Sequence, residues 1–259
     1  MENRKLDVDG IKIAYGLRGA GKTIVLLHGY PLDRSIWDSL APLLEQDFQM
    51  VIPDLRGFGE SEVADSEGSI DRYASDVRSV MQQLRIPTAC IVGHSMGGYV
   101  ALAFARSYPE RTAGIGLISS QTAPDSPERK QGRYTTAKRI LLEGVGPVAE
   151  TMSGQLTANA EIQGALRSLI SRQRPEGLAF ALEAMAERPD SMDVITGSGK
   201  PTLIVHGDAD ALIPVDKARE IEQAMPGARY TELPGAGHMP MLENPRAVAE
   251  ALRFFLTAM

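Results

Sequence analysis

Residues 89–102 read Ala89-Cys90-Ile91-Val92-Gly93-His94-Ser95-Met96-Gly97-Gly98-Tyr99-Val100-Ala101-Leu102. The first four form a short apolar run that ends in β-branched side chains, which predicts a buried strand, and the last run favours a helix. Between the two runs stands Gly-x-Ser-x-Gly, with Ser95 at its centre. This pattern is typical of a nucleophile elbow, a sharp turn that holds a serine in a strained conformation with its hydroxyl exposed.

The spacing of the two glycines around Ser95 has a steric reason. A sharp turn brings the residues two before and two after the serine against the turning backbone, so side chains at Gly93 and Gly97 would clash. The following helix points its N-terminus at the serine, which leaves the backbone N–H of Met96 free to bind an oxyanion. The alternative is an ordinary strand-to-helix turn in which Ser95 is only the N-cap.

The composition is that of an ordinary globular protein. The 259 residues are 43% hydrophobic and 23% charged, enough for one large α/β domain or a domain with an insertion. The net charge of −6 argues against nucleic acid as the main partner and gives no reason to expect binding to an acidic membrane surface. The sequence leaves the oligomeric state open.

The cysteine and histidine content argues against two kinds of site. Cys90 is the single cysteine, so no intrachain disulfide can form, and its place in an apolar strand predicts a core residue. Four histidines without paired spacing do not make a zinc site, and we expect neither a metal nor a cofactor. No apolar run has the length of a membrane span, and residues 1–6 lack the apolar region of a signal peptide, so we expect a cytoplasmic protein with no membrane partner.

Strands alternate with helices along most of the chain. Asp9-Gly10 is a strong hairpin signal, which predicts that the first two strands are antiparallel. The eight predicted strands are Leu6–Val8, Ile11–Tyr15, Thr23–Leu27, Gln49–Pro53, Ala89–Val92, Ala113–Ser119, Thr202–His206 and Tyr230–Leu233. The predicted helices are Asp33–Leu44, Ile70–Leu84, the elbow helix as far as Tyr108, Val215–Ala224 and Arg246–Phe255. The predicted fold class is therefore α/β, with a doubly wound, mostly parallel, eight-stranded sheet that begins with an antiparallel hairpin.

Residues 121–199 break this alternation. They carry helix signals alone, such as Ala137–Leu142, Ile162–Ile170 and Leu178–Met185, interrupted by proline and glycine. We expect them to form a helical cap inserted into the sheet domain, which then comprises residues 1–120 and 200–259. Since the insertion leaves the sheet beside the elbow, the cap should lie over Ser95, with a pocket between cap and sheet.

Polar residues that follow predicted strands should meet at one edge of the sheet. They are His28, Ser95, Asp208, Asp210 and His238, and ligands of such sheets bind beyond the carboxyl ends of the strands. A serine hydroxyl needs an adjacent base, and His238, in a glycine-rich loop after the last strand, is the best candidate. An acid must orient that imidazole, and both Asp208 and Asp210 follow a strand end.

These motifs, in this order, resemble the α/β-hydrolase-fold superfamily, and within it the cap-bearing serine esterases and lactonases. The resemblance covers nearly the whole chain, apart from the cap and the first few residues. It rests on His28-Gly29-Tyr30-Pro31, the Asp54–Ser61 loop, Gly93-His94-Ser95-Met96-Gly97-Gly98, Gly207-x-x-Asp210-x-x-x-Pro214 and Gly237-His238.

The resemblance implies a role for each of five residues. Ser95 would be the nucleophile, Asp210 the orienting acid and His238 the base, in the chain order Ser, Asp, His of this fold. The backbone N–H groups of Tyr30 and Met96 would form the oxyanion hole. Asp208, beside the glycine that ends the strand, is instead expected to bond nearby loop amides.

The same resemblance implies the reaction. We expect a serine hydrolase that cleaves a small-molecule carboxylic ester or lactone through an acyl-serine intermediate. Two other reactions of the fold would use the same triad, namely hydrolysis of a carbon–carbon bond in a diketone and formation of a peracid. A protein that keeps the fold only to bind a ligand is the alternative from a different class.

The pocket is the least determined part of the site. Trp37, Met239, Phe180 and Met185 are candidates for its walls, although core packing is the commoner fate of such side chains. His28 and His94 are expected to be structural, and His206 to bond locally. A basic stretch predicts a solvated helix face, with attraction of an anionic substrate as the alternative. Its members are Arg129, Lys130, Arg133, Lys138 and Arg139.

Overall fold

A computed structural model describes residues 2–63 and 68–259. The described chain forms an eight-stranded sheet in the order β1-β2-β4-β3-β5-β6-β7-β8. Its strands are β1 Glu2–Val8, β2 Ile11–Arg18, β3 Lys22–Leu27, β4 Phe48–Pro53, β5 Ala89–His94, β6 Thr112–Ile118, β7 Thr202–Gly207 and β8 Arg229–Leu233. The first hairpin and the β2–β4 pair are antiparallel, and the other neighbours are parallel. The predicted fold class is confirmed.

Helices connect the parallel strands and cover the sheet. They are α1 Ala41–Leu44, α2 Ile70–Gln83, α3 Met96–Ser107, α4 Pro127–Glu143, α5 Gly146–Leu156, α6 Ala160–Ile170, α7 Pro175–Ala186, α8 Met192–Gly197, α9 Asp216–Ala224, α10 Pro240–Glu243 and α11 Pro245–Thr257. Short 3₁₀ helices lie at Arg34–Trp37 and Pro109–Arg111.

Both faces of the sheet are buried at its centre, which explains why the central strands carry apolar side chains at consecutive positions. In β3, Val25 and Leu27 pack in the layer with α2 and α3, while Ile24 and Leu26 pack in the opposite layer with α1 and α11. Successive side chains of a strand point to opposite faces, so a strand covered on both sides has no polar face. This arrangement fixes the central strands and leaves their carboxyl ends as the edge where loops can form a site.

The segment predicted as one helix, Asp33–Leu44, is interrupted. A 3₁₀ turn at Arg34–Trp37 is capped by the Asp33 side chain, and α1 begins only at Ala41. Pro42 explains the break, because it has no N–H to continue a helical hydrogen-bond series from the preceding turn and is tolerated only in a first turn. The apolar residues of both pieces still face the core.

The helices between β6 and β7 form two pairs. Helix α4 packs against α7, and α5 packs against α6. We refer to α4–α7 as the cap helices. Helix α8, although it falls within the range 121–199 expected for the cap, packs by Val194 and Ile195 on Leu102 of α3 and Ile221 of α9. By its contacts α8 therefore belongs to the layer that flanks the sheet.

A seam of direct contacts joins the α6–α7 connection and the start of α7 to the loops after β3 and β4. The Gln173 side chain accepts the N–H of Gly59 at 2.9 Å and donates to Asp33 at 3.1 Å. Gly177, near the start of α7, lies so close to Gly57 that a Cβ on Gly177 would overlap the Gly57 carbonyl oxygen. We call these contacts, made by Gln173 and Gly177, the cap seam.

None of the helices in the described ranges is long and apolar enough to cross a membrane.

Candidate active site

Ser95 occupies the turn between β5 and α3 in a conformation that few side chains adopt. Its φ is 52° and its ψ is −114°, outside the regions that L-residues favour. The turn is held by the Ser95 N–H, which donates to the Ile118 carbonyl at 2.9 Å, and by the Ser120 hydroxyl, which donates to the Ser95 carbonyl at 2.8 Å. Two hydrogen bonds, to the end of β6 and from the residue two positions beyond it, thus maintain the strained turn.

The glycines around Ser95 are required by close backbone approach. A Cβ on Gly93 would overlap the carbonyl of Gly97, and a Cβ on Gly97 would overlap the carbonyl of Leu27. A Cβ on Gly98 would overlap the Ser120 side chain. Because α3 starts at Met96, the Met96 N–H is among the first helical N–H groups, which have no acceptor inside the helix.

The loop after β3 lies directly beside this turn. A Cβ built on Gly29 would come within 2.6 Å of His94 Nδ1 and 3.0 Å of Ser95 Cβ. His28 fixes the loop, because its Nε2 accepts the Leu55 N–H at 2.9 Å and its Nδ1 donates to the Gly29 carbonyl at 3.0 Å. Complete burial lowers the pKa of His28, so the neutral ring that these two bonds need is the stable form.

His238 and Asp210 are hydrogen-bonded, although 28 residues separate them. His238 Nδ1 lies 2.7 Å from Asp210 Oδ2, and both side chains are nearly inaccessible to solvent. Asp208 is engaged elsewhere, since its Oδ1 accepts the Gly235 N–H at 2.6 Å. The structure thus brings Asp210, and not Asp208, to the histidine.

Asp210 accepts more hydrogen bonds than the sequence predicts. Its Oδ1 accepts the N–H groups of Leu212 and Ile213, each at 2.9 Å. His206 Nε2 lies 3.3 Å from Asp210 Oδ2 and 2.9 Å from the Ile213 carbonyl oxygen. Its N–H is therefore shared between these two acceptors. Burial alone would raise the pKa of Asp210, but the hydrogen bonds from His206 and His238 lower that pKa well below the ordinary value. Asp210 is therefore a carboxylate, and His238 Nδ1 is the donor.

His94 ties the elbow to the loop that carries His238. Its Nε2 donates to the His238 carbonyl at 2.8 Å, and the two rings lie 4.9 Å apart. Burial lowers the pKa of His94 well below that of a free imidazole. A neutral His94 therefore fixes the backbone of His238 relative to Ser95 without adding a charge to the site.

A cavity of about 330 Å³ lies between this edge of the sheet and the cap helices. Tyr30, Ser95 and His238 form its sheet side, so the nucleophile candidate and the base candidate border the same space. Most of the wall comes from α4 and α5, with Leu182 and Met185 from α7 and Leu212 and Ile213 from the loop after β7.

Three of the four side chains expected on the pocket wall lie elsewhere. Trp37 and Met239 are completely buried in the apolar layer beside α1 and α11. Phe180 packs on Gly68, where an added Cβ would come within 3.1 Å of the Phe180 Cβ. Met185 does line the cavity. The sequence alone does not distinguish a large apolar side chain in the core from one of equal size on a pocket wall.

The basic stretch on α4 divides between the cavity and the surface. Arg129, Arg133 and Arg139 line the cavity, whereas Lys130 pairs with Glu187 at 2.6 Å. Arg56 binds both carboxylate oxygens of Asp76 at 2.7 Å, so it ties its loop to α2.

Two contributors to the site were not identified as such from the sequence. Ser120 holds the elbow carbonyl, and His206 is a second donor to Asp210. Ser120 follows β6, the neighbour of the elbow strand, and His206 lies at the carboxyl end of β7, the next strand in sheet order. This position at the carboxyl edge of the sheet is the signal that could have pointed to them.

Comparison with protein families identifies the sequence relationship. The model of a family described as alpha/beta hydrolase fold matches residues 22–245. A curated relative, the pimeloyl-[acyl-carrier protein] methyl ester esterase of Aeromonas hydrophila, is 26% identical over 257 residues, covering 92% of this chain and 96% of the relative.

Two solved structures are similar over nearly the whole chain. A malate-bound thermophilic esterase from Thermogutta terrifontis superposes with a TM-score of 0.94 and 36% identity, covering 100% of this chain and 99% of the other. The enol-lactonase from Burkholderia xenovorans gives a TM-score of 0.90 and 27% identity, covering 98% and 100%.

Proposed function

The chain belongs to the alpha/beta hydrolase fold family, and from that premise we propose that it is a serine hydrolase of small carboxylic esters or lactones. The observation that supports this most directly is the juxtaposition at the cavity. Ser95, on a strained turn, borders the same space as His238, whose other ring nitrogen is bonded to Asp210. The structural similarity of this chain to an esterase and to a lactonase supports the same class of reaction.

In the proposed acylation step, Ser95 Oγ attacks the carbonyl carbon of the substrate while His238 Nε2 takes the hydroxyl proton. The tetrahedral intermediate then collapses, the bond to the leaving alcohol breaks, and His238 returns the proton to that oxygen. For a lactone the alcohol stays attached to the acyl group. Asp210, ionised and bonded to Nδ1, stabilises the imidazolium that forms between the two transfers.

The second half of the reaction uses the same groups on water. His238 takes a proton from a water molecule, the resulting hydroxide attacks the acyl carbon, and the Ser95 oxygen leaves with the proton. The products are a carboxylic acid and the restored serine. In this scheme the chain supplies the nucleophile, the base and the oxyanion donors, so no cofactor takes part.

Backbone N–H groups would stabilise the oxyanion in both steps. The candidates are Met96, at the first position of α3, and Tyr30, in the loop that touches Ser95 through Gly29. Loss of one such donor costs about 3 to 4 kcal/mol of transition-state stabilisation.

The cap helices serve in this proposal as a lid. They supply most of the cavity wall opposite Ser95, and the cap seam fastens one side of them to the loops after β3 and β4. We retain 121–199 as the proposed insertion and 1–120 with 200–259 as the proposed core. A lid of this kind excludes water and selects the substrate, while the chemistry stays on the sheet side.

Three alternatives share the same geometry. Carbon–carbon bond hydrolysis and peracid formation would use the same triad, and a ligand-binding protein would keep the fold without turnover. Parallel assays of an aryl ester, a lactone, a diketone, and acetate with hydrogen peroxide separate the two alternative reactions from ester or lactone hydrolysis.

Covalent labelling separates an enzyme from a binding protein. A fluorophosphonate should label wild-type protein at Ser95, and Ser95→Ala should lose both labelling and hydrolysis of a 4-nitrophenyl ester. Ser168→Ala, at an exposed position on α6, is the matched control and should keep both. Folded wild-type protein that is neither labelled nor active would contradict the proposed function.

A further inference from the structure

The cavity wall formed by α4 carries more positive than negative charge. Arg129, Arg133 and Arg139 line it in the described part of the chain, with Glu143 as the acidic residue among them. Arg139 and Glu143 neutralise each other through an ion pair of 3.0 Å. Arg129 and Arg133 remain, and their charge balance depends on a residue behind the wall.

That residue is Asp125, whose carboxylate is shared by three arginines. Arg188 Nη2 lies 2.9 Å from Asp125 Oδ1, Arg129 Nε lies 3.4 Å from the same oxygen, and Arg133 Nε is paired with Oδ2. The side chain of Asp125 is inaccessible to solvent, and burial would raise its pKa, but the hydrogen bonds from Arg133 and Arg188 lower it. One ionised carboxylate therefore faces three guanidinium groups, which leaves two positive charges in excess.

The three arginines are not equally satisfied. Arg188 also donates to the carbonyls of Met185 at 2.6 Å and Ala123 at 3.0 Å, and it stacks over the Tyr99 ring at 4.1 Å. Arg188 Nε has no acceptor among the described residues, but it is buried behind the wall. Arg133 donates from Nη2 to Asp125 Oδ1 at 3.3 Å, whereas its Nη1 contacts the Met185 sulfur at 3.4 Å, and a thioether is a weak acceptor. Arg133 therefore borders the cavity with a donor that has no strong acceptor among the described residues.

A second donor on the cavity wall lacks a partner. The hydroxyl of Tyr30 is buried and has no hydrogen-bond acceptor among the residues that the structure describes. Tyr30 lines the same cavity as Arg133. A buried polar group left unpaired is costly, so a tyrosine and an arginine with spare donors beside one cavity indicate a ligand with spare acceptors.

We propose that Arg133 and Tyr30 bind a free carboxylate on the substrate, so that the preferred substrates are small anionic esters or lactones. This inference rests on the proposed function and narrows it to substrates that carry a second, negatively charged group. A carboxylate supplies acceptor oxygens for both donors and offsets the excess charge around Asp125. A purely structural role for Arg133, as a clamp on Asp125, is the competing explanation.

A matched pair of esters separates the two explanations. The mono-4-nitrophenyl ester of glutaric acid and 4-nitrophenyl pentanoate have equally long acyl chains, and one ends in a carboxylate where the other ends in a methyl group. Wild-type protein should give a higher kcat/KM for the anionic ester. In Arg133→Gln the ratio of the two kcat/KM values should fall about tenfold or more, as expected when a hydrogen bond to a charged group is lost.

The ratio distinguishes recognition from damage, because harm to the cap or the triad affects both esters. Lys138→Gln removes the same charge from an exposed position on α4 outside the cavity lining and should leave the ratio unchanged. A ratio that is equal in wild-type protein and in Arg133→Gln, or a wild-type preference for the neutral ester, would overturn the proposal.

Binding to the wild-type protein tests the inference even if Arg133→Gln fails to fold. Calorimetric titration should show glutarate binding more tightly than glutaramide, its uncharged isostere, and added salt should reduce the difference. Equal binding of the two, or binding of neither, would overturn the inference. Failure of the proposed function is a separate result, in which both esters persist and Ser95 stays unlabelled.

Discussion

His238 Nδ1 and Asp210 Oδ2 lie 2.7 Å apart, and the hydrogen bond between them joins the loops that follow the last two strands of the sheet. Asp208, two residues earlier, instead bonds the N–H of Gly235 within the same pair of loops. Two neighbouring aspartates thus have different partners, one a ring nitrogen and the other a backbone amide. This difference predicts different consequences when each is replaced.

Asp210→Asn should be folded and nearly inactive, with kcat lowered by about ten-thousandfold, because an amide no longer fixes the histidine tautomer. Asp208→Asn should keep most of its kcat and lose about 1 to 2 kcal/mol of stability through the weakened bond to Gly235. Ester hydrolysis and urea denaturation of both variants measure the two effects. The opposite pattern would transfer the acid role to Asp208.

Replacement of Ser95 should separate activity from stability. Ser95→Ala and Ser95→Gly should both lose several orders of magnitude in hydrolysis, because each lacks the hydroxyl. Ser95→Gly should unfold at a higher temperature than Ser95→Ala, since glycine relieves a strain of about 1 to 3 kcal/mol at φ 52°. Calorimetric melting of the two variants checks this order. An alanine variant at least as stable as the glycine variant would show that the turn is not strained.

His206 should act on activity through Asp210. His206→Phe removes a donor to Asp210 and leaves the Ile213 carbonyl without that partner, so we expect a loss of about 1 to 3 kcal/mol in unfolding free energy. The pKa of Asp210 should rise, and the acid limb of the rate profile should move to higher pH. His206→Gln, which keeps an N–H donor, should restore part of both properties. A phenylalanine variant with the wild-type profile would make His206 a packing residue only.

Stability should decrease as the pH falls below about 6.5 because of the buried histidines. The pKa values of His28 and His94 are lowered in the folded state, so between those lowered values and about 6.5 the unfolded chain binds more protons. Each histidine then removes up to about 1.4 kcal/mol per pH unit of acidification.

His94→Asn tests this contribution while it keeps a side-chain donor near the His238 carbonyl. Melting temperatures from pH 7.5 to 5 should fall less steeply in the variant than in the wild-type protein. The difference in slope should correspond to the contribution of one buried histidine to the unfolding free energy. Asp210, with its pKa lowered, should contribute to stability throughout that range and lose its effect only at lower pH. An identical slope in both proteins would show that His94 is not held neutral.

The sequence predicted the sheet and the elbow well because their signals are local or sterically strict. Apolar runs such as Ile24–Leu27 have one stable solution, a strand buried on both faces, and the glycines at 93 and 97 allow backbone contacts that any side chain would block. The prediction of one helix over Asp33–Leu44 is wrong, because the apolar periodicity continues through Pro42, which cannot continue the helical hydrogen bonding of the preceding turn.

The pocket could not be predicted in the same way, since its composition depends on how the cap helices are placed on the sheet. Trp37 and Met185 are both large and apolar, but the first lies in the core and the second on the cavity wall. The shared use of Asp125 by Arg133 and Arg188 joins positions 55 residues apart, which no local pattern encodes.

The cap seam has a practical consequence for redesign of the substrate range. The backbones of Gly57 and Gly177 are in contact. Most substitutions at Gly177 in a mutant library would therefore prevent the cap helices from packing on the loop after β4. Helices α4 and α5 supply most of the wall without such a backbone contact to the sheet domain in the described residues. Substitutions are therefore best introduced in α4 and α5, where they change the cavity wall that selects the substrate and leave the cap seam intact.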